Sequence, residues 1–500
     1  MILNYTAEER EFLNKKLENY LRPIRFRESS VKPDASDGRT PFDSDFARVA
    51  LSAPVRRLRD KTQVFSLPEF DFVRNRLTHS LEVLCIARGL GLGVEKILSQ
   101  NGLYEIGNIP HYHHAITSIL ETASLIHDLG NPPFGHKIEK SVQKFFTDIK
   151  NSLIATYFDK LERDEYKADL RSIEGNVQGF RILRHLALAK DEFSYNLTMP
   201  TMATIIKYPF SSIEGNKKGD GYTHEQEKFG YLQAEASDYY KICDTLGLRK
   251  KGQRHPLTYL LEAADDIAFS VCDLEDAFKN EKVGKESIVN SLRKCDYLDS
   301  EIDKAIDSLN LAREELDQEI CMQDLRIKIQ SKMIIECTKS FCNHYKEIIE
   351  GTYKGDLMED SKIDILRECC KQIVKPIYED PEILANEGEA DSAVNYILDG
   401  FLEAILLLNV NTPKTAPEYL LYKKISPNYR KVACEQGCDV PTVLYKKFLL
   451  ATDYVFGMTD RFLLRIYKDE DIHDLIQRVK GKIDTLQLLE ERTNIGIIKN

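Results

Sequence analysis

The chain has 500 residues, of which 42% are hydrophobic and 30% charged, and its formal net charge is −11. This composition is typical of a globular protein with a sizeable core. The longest apolar runs are too short to span a bilayer, and Glu8 and Glu9 precede any apolar stretch, which argues against a membrane protein and a signal peptide. We therefore expect a cytoplasmic protein. Its acidity argues against non-specific DNA binding, so an anionic ligand would need a local group of cations.

Most of the chain carries apolar residues at helical spacing, in residues 58–100, 115–127, 138–158, 256–350, 361–409 and 470–491. Alternating patterns are scarce, and residues 61–67 are the best short strand candidate. Polar, turn-rich stretches at residues 28–44, 209–230, 351–360 and 386–391 predict loops. The 11 cysteines form no CxxC pair, which argues against a disulfide scaffold or a zinc ribbon. We expect an all-α fold forming one large helical unit.

Histidine and aspartate occur inside three apolar helical stretches, where such groups are costly to bury unless they pair or bind a metal. They are His79, the adjacent His127 and Asp128, and the acidic pair Asp265 and Asp266. Two imidazoles with two carboxylates form a mixed nitrogen and oxygen set that suits a divalent metal. A single buried histidine is more often a satisfied core residue than a ligand, and a single His-Asp pair often occurs by chance. The joint pattern favours a metal site.

The segment GNPP at residues 130–133 is a strong helix stop, so His127 and Asp128 should lie at a helix end. If a new helix begins after Pro133, His136 and Glu139 share one face of it. A carboxylate beside an imidazole can orient it for proton transfer. The alternative for this pair is an ordinary surface contact.

Longer strings narrow the interpretation: KTQVF at 61–65, RLTHS at 76–80, HDLGNPPFGH at 127–136, EGN at 174–176, KY at 207–208, EAADDI at 262–267 and GMTD at 457–460. Together they resemble bacterial deoxyguanosine triphosphate triphosphohydrolases of the HD phosphohydrolase superfamily. The matches are dense over residues 55–277, with a last one near residue 457. The resemblance implies an HD catalytic core over residues 55–280 and a helical C-terminal part over residues 281–500 packed on it.

By position, the resemblance implies the metal ligands His79, His127, Asp128 and Asp265, with Asp266 the competing choice for the last. It implies proton-transfer roles near the α-phosphate for His136 and Glu139. The metal would be Mg²⁺ or Mn²⁺, with Co²⁺ possible. The family reaction converts a deoxynucleoside triphosphate, here dGTP, and water into deoxynucleoside and triphosphate.

Residues for the substrate follow from the same match. Cationic and hydroxyl donors for the phosphates would be Arg76, Lys207 and Tyr208, although a plain surface or core role explains each almost as well. Gln63 and Asp273 match positions around the deoxyribose 3′-hydroxyl, and Asn176 would face the nucleotide. Phe269 stands where the family often has tyrosine, and its flat ring would lie under the sugar; simple core packing is its rival interpretation.

The resemblance also implies a homo-oligomer, commonly a hexamer, and a possible single-stranded DNA or nucleotide effector. Two basic stretches, at residues 56–61 and 423–431, could serve an anionic ligand, although a solvated charged face explains each as well. Two other functions remain open: an HD phosphohydrolase of another nucleotide class, such as a 5′-nucleotidase or cyclic nucleotide phosphodiesterase, and a nucleotide- or DNA-sensing binding protein without turnover.

Overall fold

A computed structural model of the chain describes residues 1–28, 36–65, 72–187, 191, 193–217, 219, 221–297, 299–433 and 438–497. Over these residues the fold is all-α, as the sequence predicts. Within them the extended backbone forms no strand and only two isolated antiparallel bridges, Arg25 with Thr198 and Thr62 with Asn75.

Within the described residues, the first half of the fold contains eleven α-helices. They are α1 (Ala7–Tyr20), α2 (Pro41–Ala50), α3 (Ala53–Arg57), α4 (Arg76–Gln100), α5 (Ala115–Ile126), α6 (His136–Thr147), α7 (Ser152–Asp159), α8 (Asp164–Ser172), α9 (Gly175–Arg181), α10 (Met199–Thr204) and α11 (Ala236–Leu246). A π-helical turn, Ile182–Leu186, continues α9.

The second half contains twelve further helices within the described residues. They are α12 (Pro256–Lys279), α13 (Lys285–Arg293), α14 (Ser300–Leu311), α15 (Glu315–Asn343), α16 (Tyr345–Glu350), α17 (Asp364–Val374), α18 (Pro381–Leu407), α19 (Pro417–Lys424), α20 (Pro427–Ala433), α21 (Val440–Phe456), α22 (Asp460–Tyr467) and α23 (Glu470–Ile497). Among the described residues no helix is long and apolar enough to cross a membrane.

Local signals in the sequence explain where the site-bearing helices begin. Asn75 caps α4 by accepting hydrogen bonds from the backbone N–H groups of Leu77 and Thr78. At α12, Pro256 occupies the first turn, where its missing N–H costs nothing. These starts fix which residues of α4 and α12 face the interior.

The apolar side chains form two buried clusters. The first is built largely by α4, α5, α12, α14 and α15, and the second by α6, α18 and α21 with neighbouring segments. The turn between α5 and α6 joins them, because Ile126 and Leu129 belong to the first cluster and Phe134 and Ile138 to the second. This turn carries His127 and Asp128, and α6 begins at His136, so the candidate site lies where the two cores meet.

Two sequence predictions are wrong in detail. Residues 386–391, predicted to be a loop, lie inside α18; Ile383, Ala390 and Val394 are buried at helical spacing while the charged residues between them take the outer face. The strand predicted for residues 61–67 is absent over its described part, residues 61–65, where Thr62 forms only a bridge to Asn75. In the predicted loop at 209–230, the described residues contain only a 3₁₀ turn, His224–Gln226.

Candidate active site

Four side chains from three helices meet at one end of the first core. His79 projects from the first turn of α4, His127 and Asp128 follow the end of α5, and Asp265 lies in the middle of α12. Possible ligand atoms of His79, His127 and Asp128 all lie within 4.8 Å of one another. Asp265 joins them, with its Oδ1 3.0 Å from His79 Nε2 and 3.5 Å from His127 Nε2. The predicted ligands therefore form one cluster.

The hydrogen bonds and the pKa of His127 indicate which kind of ligand this cluster suits. Its Nδ1–H donates to the backbone carbonyl of Ser124 at 2.7 Å, which directs Nε2 at the cluster. That buried Nε2 has no hydrogen-bond partner. Burial lowers the pKa of His127, but the charges of Asp128 and Asp265 outweigh it and raise the pKa to about 9. The two carboxylates thus favour positive charge at an imidazole nitrogen that has no hydrogen-bond partner, and the cluster fits a divalent cation.

The structure also separates the two candidate aspartates on α12. Asp265 faces the histidines, whereas the Oδ2 of Asp266 accepts a hydrogen bond from Arg367 at 2.7 Å. Consecutive helical side chains diverge by about 100°, so only one of the pair can face the cluster. The geometry favours Asp265, the residue that the family resemblance implied.

Asp128 is held in place by two neighbours. Its Oδ2 accepts a hydrogen bond from Arg76 Nη1 at 2.7 Å, and its Oδ1 accepts one from Asn131 Nδ2 at 2.5 Å. Burial would raise the pKa of Asp128, but His127, Arg76 and His79 together hold it at about 2. The carboxylate is therefore ionised and oriented before any ligand arrives.

His136 and Glu139 form the predicted pair on α6. The helix begins after Gly135, whose φ of +59° is a conformation that favours glycine. Glu139 Oε2 lies 2.6 Å from His136 Nδ1, and its Oε1 accepts the backbone N–H of Gly175 at 2.7 Å. Burial would raise the pKa of Glu139, but the contact with His136 holds it below its ordinary value. A carboxylate only accepts, so His136 Nδ1 donates and its Nε2 is left for the cavity.

The cluster and the His136 pair open into one cavity of about 510 Å³. Although the chain is acidic, four cationic side chains line this cavity: Arg76, Lys207, Lys228 and Lys371. Each pairs with a carboxylate; Lys207 Nζ lies 2.8 Å from Glu262, and Lys228 Nζ lies 2.7 Å from Glu174. Burial alone would lower the pKa of Lys207, but the negative charge of Glu262 has the larger effect and raises it. The lysine is therefore charged. An anionic ligand would find preorganised cations here.

All of the predicted site residues except Asp273 line this cavity, and the predicted substrate residues among them are Gln63, Arg76, Asn176, Lys207, Tyr208 and Phe269. Phe269 lies one helical turn beyond Asp265, on the same face of α12. Asp273 lies a turn further on; it is buried in α12 and is not among the lining residues. Its contact with a sugar stays a prediction.

Sequence reasoning missed Lys228, Lys371, Glu262 and Asn131 as site residues. Lys228 sits in the polar loop at 209–230, and Lys371 belongs to α17, in a part of the sequence that carried no motif. A lysine in such surroundings is normally solvated, so composition gave no signal for either. Asn131 and Glu262 lie within quoted motifs, and their polarity beside predicted ligands could have marked them.

Comparisons with known proteins agree with this geometry. Residues 76–174 match the HD domain. A deoxyguanosinetriphosphate triphosphohydrolase-like protein of Listeria monocytogenes is 34% identical over 469 residues, covering 91% of this chain and 98% of the relative. A like-named protein of Synechocystis is 31% identical over 86% of this chain and 93% of its own. The deoxyguanosinetriphosphate triphosphohydrolase of Klebsiella pneumoniae is 28% identical over 85% of this chain and 93% of its own. This chain therefore belongs to the deoxyguanosinetriphosphate triphosphohydrolase-like family of HD-domain hydrolases.

Proposed function

We propose that the protein is a metal-dependent deoxynucleoside triphosphate triphosphohydrolase that converts dGTP and water into deoxyguanosine and inorganic triphosphate. The observation that carries the proposal is the unpartnered Nε2 of His127, directed into a cluster of two histidines and two aspartates that shares one cavity with His136 and four cations. The names of the relatives support dGTP as the substrate.

In this proposal His79, His127, Asp128 and Asp265 hold a divalent cation such as Mg²⁺ or Mn²⁺. The cation would supply Lewis-acid stabilisation of charge on the phosphate oxygens. Arg76 and Asn131 keep the Asp128 carboxylate aimed at the cluster.

His136 carries the proton transfer. Water attacks the α-phosphorus, the bond to the 5′-oxygen breaks, and a proton must reach that oxygen. With Nδ1 donating to Glu139, His136 Nε2 is free to take a proton from water and return it to the leaving oxygen. The side chain of His136 is 70% exposed, so substrate can reach it. Glu139 is buried and accepts the N–H of Gly175, so its carboxylate holds the imidazole in a fixed orientation.

The cationic side chains bind the triphosphate. Lys207, Lys228 and Arg76 are each held by a carboxylate, and each can share its charge with phosphate oxygens. On the sugar side, Gln63 Oε1 is buried without a partner and can accept a hydroxyl hydrogen. The flat face of Phe269 against the sugar would leave little room for a 2′-hydroxyl, which favours deoxynucleotides.

The test is product analysis by ion-exchange chromatography after incubation with each dNTP and with GTP, in Mg²⁺ and in Mn²⁺. We expect deoxyguanosine and intact triphosphate from dGTP, and no products from a variant carrying both His127→Ala and Asp128→Ala. The matched control is His114→Ala, which removes a histidine that does not line this cavity. Monophosphate or free phosphate as product would favour another HD phosphohydrolase, and dGTP binding without turnover would favour a sensor.

A further inference from the structure

The GMTD motif at residues 457–460 lies far along the chain from the other motifs and lines no part of the active-site cavity. It forms the corner between α21 and α22. Asp460 is the first residue of α22, yet its side chain is only 3% exposed and turns inward. A buried carboxylate needs strong partners, and those of Asp460 are informative.

Both oxygens of Asp460 accept hydrogen bonds from segments that carry site residues. Oδ2 accepts the backbone N–H of Thr62 at 2.8 Å and also the Thr62 hydroxyl. Oδ1 accepts the backbone N–H of Phe134 at 3.0 Å. One carboxylate therefore joins two segments that lie 398 and 326 residues away in sequence.

Lys61 ties the same three segments from the other side. Its buried ammonium donates to the carbonyl of Phe456 at 2.9 Å and to the carbonyl of Asn131. Its own carbonyl accepts the N–H of Arg76 at the start of α4. We call Lys61, Thr62 and Asp460 the clamp, because together they bind the α21–α22 corner to the α5–α6 turn and to α4.

Each segment held by the clamp continues directly into a site residue. Thr62 is followed by Gln63, whose buried Oε1 has no partner and lines the cavity. Phe134 is followed by Gly135 and then by His136. Phe134 has a φ of +54°, a left-handed conformation that is unfavourable for a residue with a side chain and persists only where surrounding contacts enforce it. The hydrogen bond from its N–H to Asp460 is such a contact.

We infer that Asp460 is a positioning residue for the hydrolytic reaction: from outside the cavity, it fixes the strained turn that presents His136 and the segment that presents Gln63. The inference rests on the proposed function for its chemistry and on the clamp contacts for its geometry. Asp460 touches no reacting atom. Its effect is to hold the proton-transfer residue and the sugar contact at a set separation, and a displacement of about 1 Å at such groups can cost a hundredfold in rate.

The sharpest variant is Asp460→Asn. It keeps the size of the side chain but replaces one acceptor by an amide donor, which must face the backbone N–H of either Thr62 or Phe134. The matched control is Asp453→Asn, which also neutralises a buried carboxylate of the C-terminal region, but one whose hydrogen bonds are to Gln178 and Arg181. Thr62→Val is a milder third variant, because it removes only the hydroxyl donor.

Three measurements are compared: kcat and KM for dGTP, divalent metal affinity, and hydrogen exchange of residues 60–65 and 129–137. For Asp460→Asn we expect kcat to fall about a hundredfold and metal affinity to stay unchanged. Exchange should be faster by about tenfold or more in the segment whose N–H faces the new amide, as loss of a charge-assisted hydrogen bond implies. For Asp453→Asn we expect lower stability with kcat within about threefold of wild type, within the usual context-dependence of such effects. Thr62→Val should raise KM more than it lowers kcat.

The outcomes separate the two proposals. Unchanged exchange in both segments for Asp460→Asn, or the same kcat as Asp453→Asn, would overturn the positioning role even in an active enzyme. If wild type turned over no dNTP, the proposed function would fall, while exchange would still decide whether Asp460 fixes the two segments. If Asp460→Asn does not fold, the inference is tested with Thr62→Val. An unchanged KM together with unchanged exchange at residues 60–65 in that variant would overturn it.

Discussion

Two polar clusters lie inside this helical protein, and they differ in how their charges are paired. Around Arg181, the guanidinium donates to both oxygens of Asp453, at 2.8 and 2.9 Å, and to Glu235 at 2.6 Å. At the cluster of His79, His127, Asp128 and Asp265, Arg76 pairs with one oxygen of Asp128. The buried His127 Nε2 has no hydrogen-bond partner, although Asp265 Oδ1 lies 3.5 Å away. None of the Arg181 group lines the active-site cavity.

The difference shows how a buried polar cluster can be assigned to stability or to chemistry. In the Arg181 group the chain supplies both the acids and the cation that pairs with them. In the histidine cluster two imidazoles and two carboxylates lie close together, a set that suits a divalent cation from outside the chain. The first cluster should respond to mutation through stability and the second through metal binding and turnover.

The largest expected effect is at the histidine cluster. His127→Ala removes the unpartnered nitrogen, and we expect loss of stoichiometric metal, measured by titration calorimetry, with dGTP turnover reduced by at least about 10³-fold, since metal catalysis contributes several kcal/mol. His114→Ala is the control and should behave as wild type. Normal metal binding by His127→Ala would contradict the assignment of metal binding to the histidine cluster.

The converse test is made at the other cluster. Arg181→Met leaves Asp453 and Glu235 buried without their cation, which should lower the free energy of unfolding by about 3–5 kcal/mol, as measured by urea denaturation. Metal affinity of the folded protein should stay unchanged. The exposed pair of Arg39 and Asp37 offers a control, because Arg39→Met should alter stability little. A variant of Arg181 with full stability but weakened metal binding would contradict the assignment.

Within the active site, metal binding and proton transfer should be separable. His136→Ala is expected to keep the metal but to lower kcat about 10²-fold, because the proton-transfer residue is lost while the four ligands remain. The measurement is kcat at saturating dGTP together with metal stoichiometry. If metal were lost as well, His136 would belong to the ligand set and the proposed division of roles would be wrong.

The smallest expected effect concerns pH and a carboxylate next to the Arg181 group. Burial raises the pKa of Asp169 to about 7, from an ordinary value of 3.8. The folded protein therefore keeps a proton there that the unfolded chain releases above pH 4, so stability is fully present at low pH and falls as pH rises towards 7.

Urea denaturation at pH 5 and pH 8 measures this loss. We expect wild type to lose about 2 kcal/mol of stability that Asp169→Asn does not lose, because asparagine has no proton to release. Asp439→Asn, at an exposed position, should follow wild type at both pH values. A pH dependence equal in wild type and Asp169→Asn would show that Asp169 is already ionised at pH 5.

Much of the site could be predicted from the sequence because its signals are local. Glycine followed by prolines is a strong helix stop, so the segment GNPP predicted that His127 and Asp128 lie at a helix end, and α5 ends at Ile126. The three-residue spacing of His136 and Glu139 brought them within 2.6 Å as soon as α6 formed. The all-α fold followed from helical periodicity over most of the chain, although one charged stretch of α18 was mistaken for a loop.

Other features were decided by tertiary structure alone. No motif in the neighbouring sequence identifies Lys228 or Lys371 as a site residue. They line the cavity because of how a loop and α17 pack in the folded chain. Asp460 meets Thr62 across 398 residues. The sequence by itself determined which residues could bind a metal and which faces its helices would bury, since both depend on residue type and short spacing. The packing of the helices decides which distant cations and carboxylates come close to the site. No short-range sequence pattern encodes this packing.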